Sequence, residues 1–188
     1  MKQEHPTVRF ASQNFIFRAS AVGTADPELA ILHRADGYAF VAGGKRDLND
    51  SSPRRTAMRE TIEEAGVAVR SSAMVRCAIL TGSHFNSRWI LQDFACFLDD
   101  EYASQVSVCS PREHRSLEWV PLSRLPELRA LDGLTSRASV AWAAIASDCA
   151  PEMTHRRRAL SRRFVDNLKR MVRCGSARRE SAFLFTYK

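Results

Sequence analysis

Gly43 to Val67, GGKRDLNDSSPRRTAMRETIEEAGV, is the stretch on which the reading of this 188-residue chain turns. Ser52 can cap the free N–H groups of a first helical turn, and Pro53 at the first helical position forfeits no hydrogen bond. Gly66 stands where a helix ends in a left-handed residue. Between them Met58, Ile62 and Ala65 fall at i, i+4 and i+7, which predicts one buried stripe. Glu60, Glu63 and Glu64 then share a face opposite that stripe, and Arg59 can reach Glu63 across one turn. Carboxylates crowded in this way repel one another unless a cation neutralises them. Hard oxygen ligands suit Mg²⁺ or Mn²⁺, with substrate phosphates completing the shell. The Gly43-Gly44 turn would let a backbone carbonyl approach the same ion.

Outward from the helix, strands are expected at Phe15–Val22, Leu29–Arg34, Tyr38–Ala42, Ala73–Leu80, Trp89–Leu98 and Leu117–Val120. A turn is expected at Gly23–Pro27 and a polar loop at Thr81–Arg88. Thr135–Ala146 and Met153–Val172 read as helices, the second with Leu160, Phe164, Leu168 and Met171 on one face. No internal repeat is visible. This mixture predicts an α/β sandwich with basic helices at its C-terminal end.

The segment Gly44 to Val67 resembles the signature of the Nudix hydrolases, Gx5Ex7REUxEExGU, with U a bulky apolar residue. Gly44 takes the first glycine, and Arg59, Glu60, Glu63, Glu64, Gly66 and Val67 take the REUxEExGU positions. The early acid is Asp50, separated from Arg59 by eight residues where the signature has seven, and Thr61 stands at the first U. Downstream, Glu113 lies six residues before Trp119 in a stretch similar to the one that closes many Nudix domains. Thr56 to Gly66 also looks like the box of the diphosphoinositol polyphosphate phosphohydrolases.

The resemblance implies an α/β/α sandwich around a mixed β-sheet over residues 1–150, followed by a basic helical extension over 151–188. It implies hydrolysis of a diphosphate with Mg²⁺ or Mn²⁺ as cofactor. Glu60, Glu63, Glu64 and the Gly44 carbonyl would hold the metal, Arg59 would orient Glu63, and Glu113 would be the general base. Asp50 reads as a structural partner near the helix start. Lys45, Arg46, Arg54, His84 and Arg88 are candidate phosphate contacts, because arginine forks donate two bonds to one phosphate. Tyr38, Phe40, Phe85 and Trp89 are candidate walls for a planar base, although such aromatics are more often core than clamp.

Eleven Lys/Arg against three Asp/Glu in residues 151–188 account for the basicity, since the first 150 residues are close to neutral. Such a segment attracts polyanions, so the partners expected are a phosphorylated small molecule and, through Arg156–Arg158 and Arg162–Arg163, nucleic acid. The favoured substrate is an inositol pyrophosphate or a dinucleoside polyphosphate. Nucleoside triphosphates, nucleotide sugars, ADP-ribose and capped RNA are the alternatives within the enzyme class, and a non-catalytic RNA- or protein-binding module is the alternative outside it. No apolar run approaches the roughly 18 to 20 residues of a membrane-spanning helix, so no membrane role is expected. Five cysteines without C-x-x-C spacing argue against a disulfide framework or a zinc site. A cytoplasmic or nuclear location is expected, with secretion open if a signal peptide has been removed.

Overall fold

The computed structural model describes residues 7–20, 26–84, 87–130 and 133–148. The strands are β1 (Thr7–Arg18), β2 (Glu28–Arg34), β3 (Ala39–Phe40), β4 (Ala42–Lys45), β5 (Val75–His84), β6 (Ser87–Phe97) and β7 (His114–Pro121). The α-helices are α1 (Pro53–Ala65), α2 (Asp100–Ala103) and α3 (Leu134–Asp148), with 3₁₀ turns at Ser71–Ala73 and Leu122–Glu127. The seven strands form one mixed sheet in the order β3-β2-β1-β6-β5, with β4 added to β1 and β7 to β2. Among the described strands only β1 and β6 pair parallel, and every other strand pair is antiparallel. The α/β/α sandwich around a mixed sheet is the fold expected from the sequence. Among the described residues no helix is long and apolar enough to cross a membrane.

Alternation along the strands builds two cores, one on each sheet face. Phe15 and Phe17 of β1, Leu29 and Ile31 of β2 and Ala95 of β6 point to one side, where Trp142 of α3 packs among them. Ile16, Ala30, Leu32, Phe94 and Cys96 point to the other, under α1. Both faces are covered because side chains in a strand alternate with period two, so an apolar run feeds both layers at once. Burial pushes the Cys96 thiol up to about 12, which fits a core residue rather than a reactive thiol.

Three expectations are corrected. First, α1 does not bury the stripe Met58–Ile62–Ala65, because Ile62 is 48% exposed. Its inward face is Thr56, Ala57, Glu60, Thr61, Glu64 and Ala65. Small Ala and Thr side chains let the helix lie close on β4 and β1. There Asn14 Nδ2 donates to Thr61 Oγ1 at 3.0 Å, and Thr61 Oγ1 donates to the Ala57 carbonyl at 2.7 Å. Second, the three carboxylates do not lie together opposite the buried face. Glu60 and Glu64 turn inward, whereas Glu63 faces solvent. Third, the segment Thr81–Arg88 is not a broad loop. β5 and β6 stay paired to His84 and Ser87, because ladder hydrogen bonds do not require apolar side chains. The helix ends were legible: Ser52 Oγ accepts from the Arg55 N–H, and Gly66 adopts φ 67°. The expected helix Met153–Val172, the basic extension 151–188 and most of the turn Gly23–Pro27 lie outside the described residues.

Candidate active site

β4 sets the floor of the site. It pairs with β1 in the register Ser12 to Gly44 and Gln13 to Gly43, directly beneath α1. A methyl group added at Gly44 would overlap the Glu60 carboxylate, and one at Gly43 would come within 2.6 Å of the Ser12 carbonyl oxygen. The helix therefore carries its carboxylates closer to the strand backbone than any other residue at Gly44 would permit. The Gly43 N–H donates to Glu64 Oε2 at 2.8 Å.

Arg59 ties the helix to the loop that follows β4. Its guanidinium donates to Asp50 Oδ2 at 3.0 Å, to the Lys45 carbonyl at 2.9 Å and to Glu63 Oε2 at 2.9 Å, and it lies 2.9 Å from Glu60 Oε1. The same guanidinium holds the buried Asp50 carboxyl below its ordinary range. Asp50 is thus a partner of Arg59. Glu60 moves in the opposite direction. Burial pushes its pKa up to about 7, and the attraction of Arg59 only partly offsets this.

The wall opposite α1 comes from the segment after α2. Its backbone fastens to the end of α1: the Ser107 N–H donates to the Ala65 carbonyl and the Cys109 N–H to the Glu64 carbonyl, both at 3.0 Å. Ser110 Oγ donates to the Glu63 carbonyl at 2.9 Å. These bonds satisfy helix carbonyls that have no partner within the last turn. The chain then turns into β7 and presents Glu113 and His114. His114 Nε2 lies 3.0 Å from Glu64 Oε1. One ligand atom each from Glu64, Glu113 and His114 falls within 4.8 Å of the others.

These elements enclose a cleft of about 700 Å³, a size suited to a small-molecule ligand. Gly44, Lys45, Arg46, Arg59, Glu60, Glu64 and Glu113 line it, so the fold brings these expected residues together. Glu63 is not among the lining residues. Arg54 is engaged elsewhere, donating to the Ser71 carbonyl at 2.8 Å with its guanidinium over the Phe94 ring. Arg88 is exposed on β6 and does not line the cleft, and His84 ends β5. Trp89 sits under Arg9 and Lys45 instead, and Phe85 lies outside the described residues.

Sequence reading missed Arg34, Arg112 and His114, all of which line the cleft. Arg34 lies over the ring of Phe40, 5.2 Å from its centroid, so Phe40 is the expected aromatic that does reach the cleft. Only the adjacency of His114 to Glu113 could have pointed to it, and nothing in the sequence distinguished Arg34 or Arg112 from other surface arginines.

The residues present fit a divalent cation. Glu60, Glu64 and Glu113 converge on a cleft whose floor only glycine can form. Burial is the largest cause of the raised Glu60 pKa, the Glu64 and Glu63 charges add to it, and a nearby cation would relieve both.

The model of the NUDIX domain matches residues 17–143. No curated protein matches the sequence. Among solved structures, the chain is similar to a C. elegans Ap4A hydrolase in a binary complex (TM-score 0.59, 18% identity, covering 74% of this chain and 98% of that one). A MutT NUDIX hydrolase from Burkholderia pseudomallei gives a TM-score of 0.55 at 19% identity, covering 70% and 96%. The Shewanella oneidensis NrtR complexed with a 27mer DNA gives 0.61 at 11% identity, covering 92% and 90%. At these identities the likeness shows a shared fold. With two thirds of its length matched by the domain model, and its box helix, glycine floor and downstream acid around one cleft, the chain belongs to the NUDIX family.

Proposed function

We propose that the protein is a divalent-metal-dependent hydrolase of a phosphoanhydride bond in a highly anionic substrate. The observation that carries this reading is the composition of the cleft. Glu60, Glu64 and Glu113 sit among Arg34, Lys45, Arg46 and Arg112, so a carboxylate centre for metal has a cationic surround for phosphate. Glu60, Glu64 and the Gly44 carbonyl would hold Mg²⁺ or Mn²⁺. The metal would supply Lewis acidity toward the phosphorus and a more acidic bound water. Arg59, anchored by Asp50, keeps the helix and the Lys45 backbone in one arrangement, and Glu63 completes its set of partners. Glu113, exposed beside the buried Glu64, would take a proton from the attacking water and release it to solvent.

Dinucleoside polyphosphates and inositol pyrophosphates remain the favoured substrates. Four cations at one cleft favour several phosphates over one, and the Phe40 ring, with the Arg34 guanidinium 5.2 Å from its centroid, gives a base an aromatic neighbour, which favours the dinucleoside class. The fold shared with the C. elegans Ap4A hydrolase is compatible with that choice. The test is phosphate or nucleotide release in Mg²⁺ and Mn²⁺ from dinucleoside polyphosphates, inositol pyrophosphates, nucleoside triphosphates, ADP-ribose and capped RNA. Turnover of one class, lost in the Glu60→Gln, Glu64→Gln double variant, is the expected result. Turnover that survives in that variant would refute the assignment of these carboxylates, and turnover of none would favour a binding module.

A further inference from the structure

Both oxygens of the Glu64 carboxylate are held by groups outside its own helix. Oε2 accepts from the Gly43 N–H at 2.8 Å, and Oε1 faces His114 Nε2 at 3.0 Å. The His114 side chain is only 6% exposed, and its other nitrogen, Nδ1, has no hydrogen-bond partner among the described residues. A proton on Nε2 leaves Nδ1 a bare lone pair. A proton on Nδ1 would instead bury an N–H with no acceptor and leave Nε2 facing a carboxylate with nothing to donate. Buried orphan donors are rarer than under-used acceptors, so the donating tautomer at Nε2 fits the site.

The placement of His114 is fixed by the chain around it. Its own N–H donates to the Ser110 carbonyl at 2.9 Å. Ser110 and Cys109 are in turn bonded to the carbonyls of Glu63 and Glu64. The segment that carries the imidazole is thus anchored to the last turn of the helix that carries the carboxylate, and the two are held as one unit.

We propose that His114 is a positioning residue: its Nε2–H fixes Glu64 Oε1 so that, with Oε2 on the Gly43 N–H, the carboxylate presents one orientation to the metal. The inference rests on the reading of Glu64 as a metal ligand. Outer partners of this kind set ligand orientation and typically contribute roughly 10- to 100-fold in metal affinity.

The test compares His114→Gln, which keeps an N–H donor at similar reach, with His114→Leu, which keeps bulk and removes the donor. Glu64→Gln serves as the reference. Mn²⁺ affinity is read from the electron paramagnetic resonance signal of the free ion, without substrate. His114→Leu is expected to weaken Mn²⁺ about tenfold or more, and His114→Gln only about threefold or less. Adding His114→Leu to Glu64→Gln should cost nothing further, since the partner is already altered. Nitrogen chemical shifts of the imidazole give an independent reading, with Nε2 remaining protonated when Mg²⁺ is added.

Equal losses in the Gln and Leu variants, or no loss in Leu, would overturn the inference while a loss in Glu64→Gln left the metal reading standing. Loss of the Nε2 proton on adding Mg²⁺ would overturn it too, by making His114 a ligand. Unchanged Mn²⁺ affinity in Glu64→Gln would overturn the metal reading itself. If His114→Leu fails to fold, the Gln variant and the nitrogen shifts still decide.

Discussion

The two faces of the sheet bury charge in opposite ways. On α3, Arg137 closes on Asp93 with two bonds, at 2.6 and 2.8 Å, and also reaches Gln13, beside the Phe15 ring of the core on that side. Each carboxylate oxygen of that pair has a partner, so the charge is balanced where it lies. Under α1, Glu60 and Glu64 are also buried, yet burial raises the Glu60 pKa to about 7 even with Arg59 beside it. The contrast separates a charge pair whose carboxylate oxygens are both satisfied from a carboxylate whose ionised form burial disfavours. The second belongs to the set we propose to hold a cation, and the glycine floor at Gly43–Gly44 lies beneath it.

Breaking the α3 side should give the largest effect. Trp142→Ala removes a fully buried ring packed 5.4 Å from Phe17 and 6.0 Å from Phe97, and should destabilise the fold by about 3–5 kcal/mol in denaturant unfolding. Protein that remains folded should retain its Mn²⁺ affinity. A parallel loss of metal binding would mean the two faces are not separable.

Gly44→Ala probes the other face. The added methyl overlaps the Glu60 carboxylate, so turnover should drop by about 100-fold, comparable to removal of a positioned catalytic group. Its unfolding midpoint should move far less than that of Trp142→Ala.

At the rim, Arg46→Ala and Arg112→Ala should each raise KM about tenfold for a polyphosphorylated substrate, the scale of one charge-assisted contact. Arg54→Ala, whose guanidinium is engaged with Ser71 and Phe94, should leave KM within about twofold. Steady-state kinetics on the three variants would check the boundary of the cleft.

The smallest effect concerns pH. The folded-state pKa of Glu60, about 7, lies above its ordinary 4.5, so the folded protein holds that proton more tightly than the unfolded chain does. This contribution to stability is complete below about 4.5 and declines as pH rises through 7. In metal-free buffer, Glu60→Gln should therefore gain on the wild type between pH 5 and pH 8, by about 4 °C in Tm. Saturating Mg²⁺ should reduce that gain, because a cation stabilises the ionised form. A constant difference across the range would show that Glu60 is not strained by burial.

The sequence was most legible where chemistry is local. Ser52 and Gly66 marked the ends of α1 correctly, because a cap is decided by the residues on either side of it. Which face of α1 is buried was misread. Counting apolar residues chose Met58 and Ile62, whereas the helix is oriented by Thr61 on Asn14 and by Gly43 and Gly44, partners from another strand. Arg54 and Arg88 illustrate the same limit, since adjacency in sequence did not bring either one to the cleft.

By itself, the sequence determined the mixed α/β architecture, the helix that carries the glutamates and the caps at its two ends. Each of these follows from periodicity, capping and spacing within a few residues. Only the tertiary structure decided that Glu60 and Glu64 turn inward while Glu63 turns out, that Arg34 and Arg112 complete the cleft, and that His114 stands against Glu64 from 50 positions away in the chain. Those outcomes depend on register and on layers meeting across the sheet, where burial sets the energy of a charge and no local pattern records who its neighbours will be.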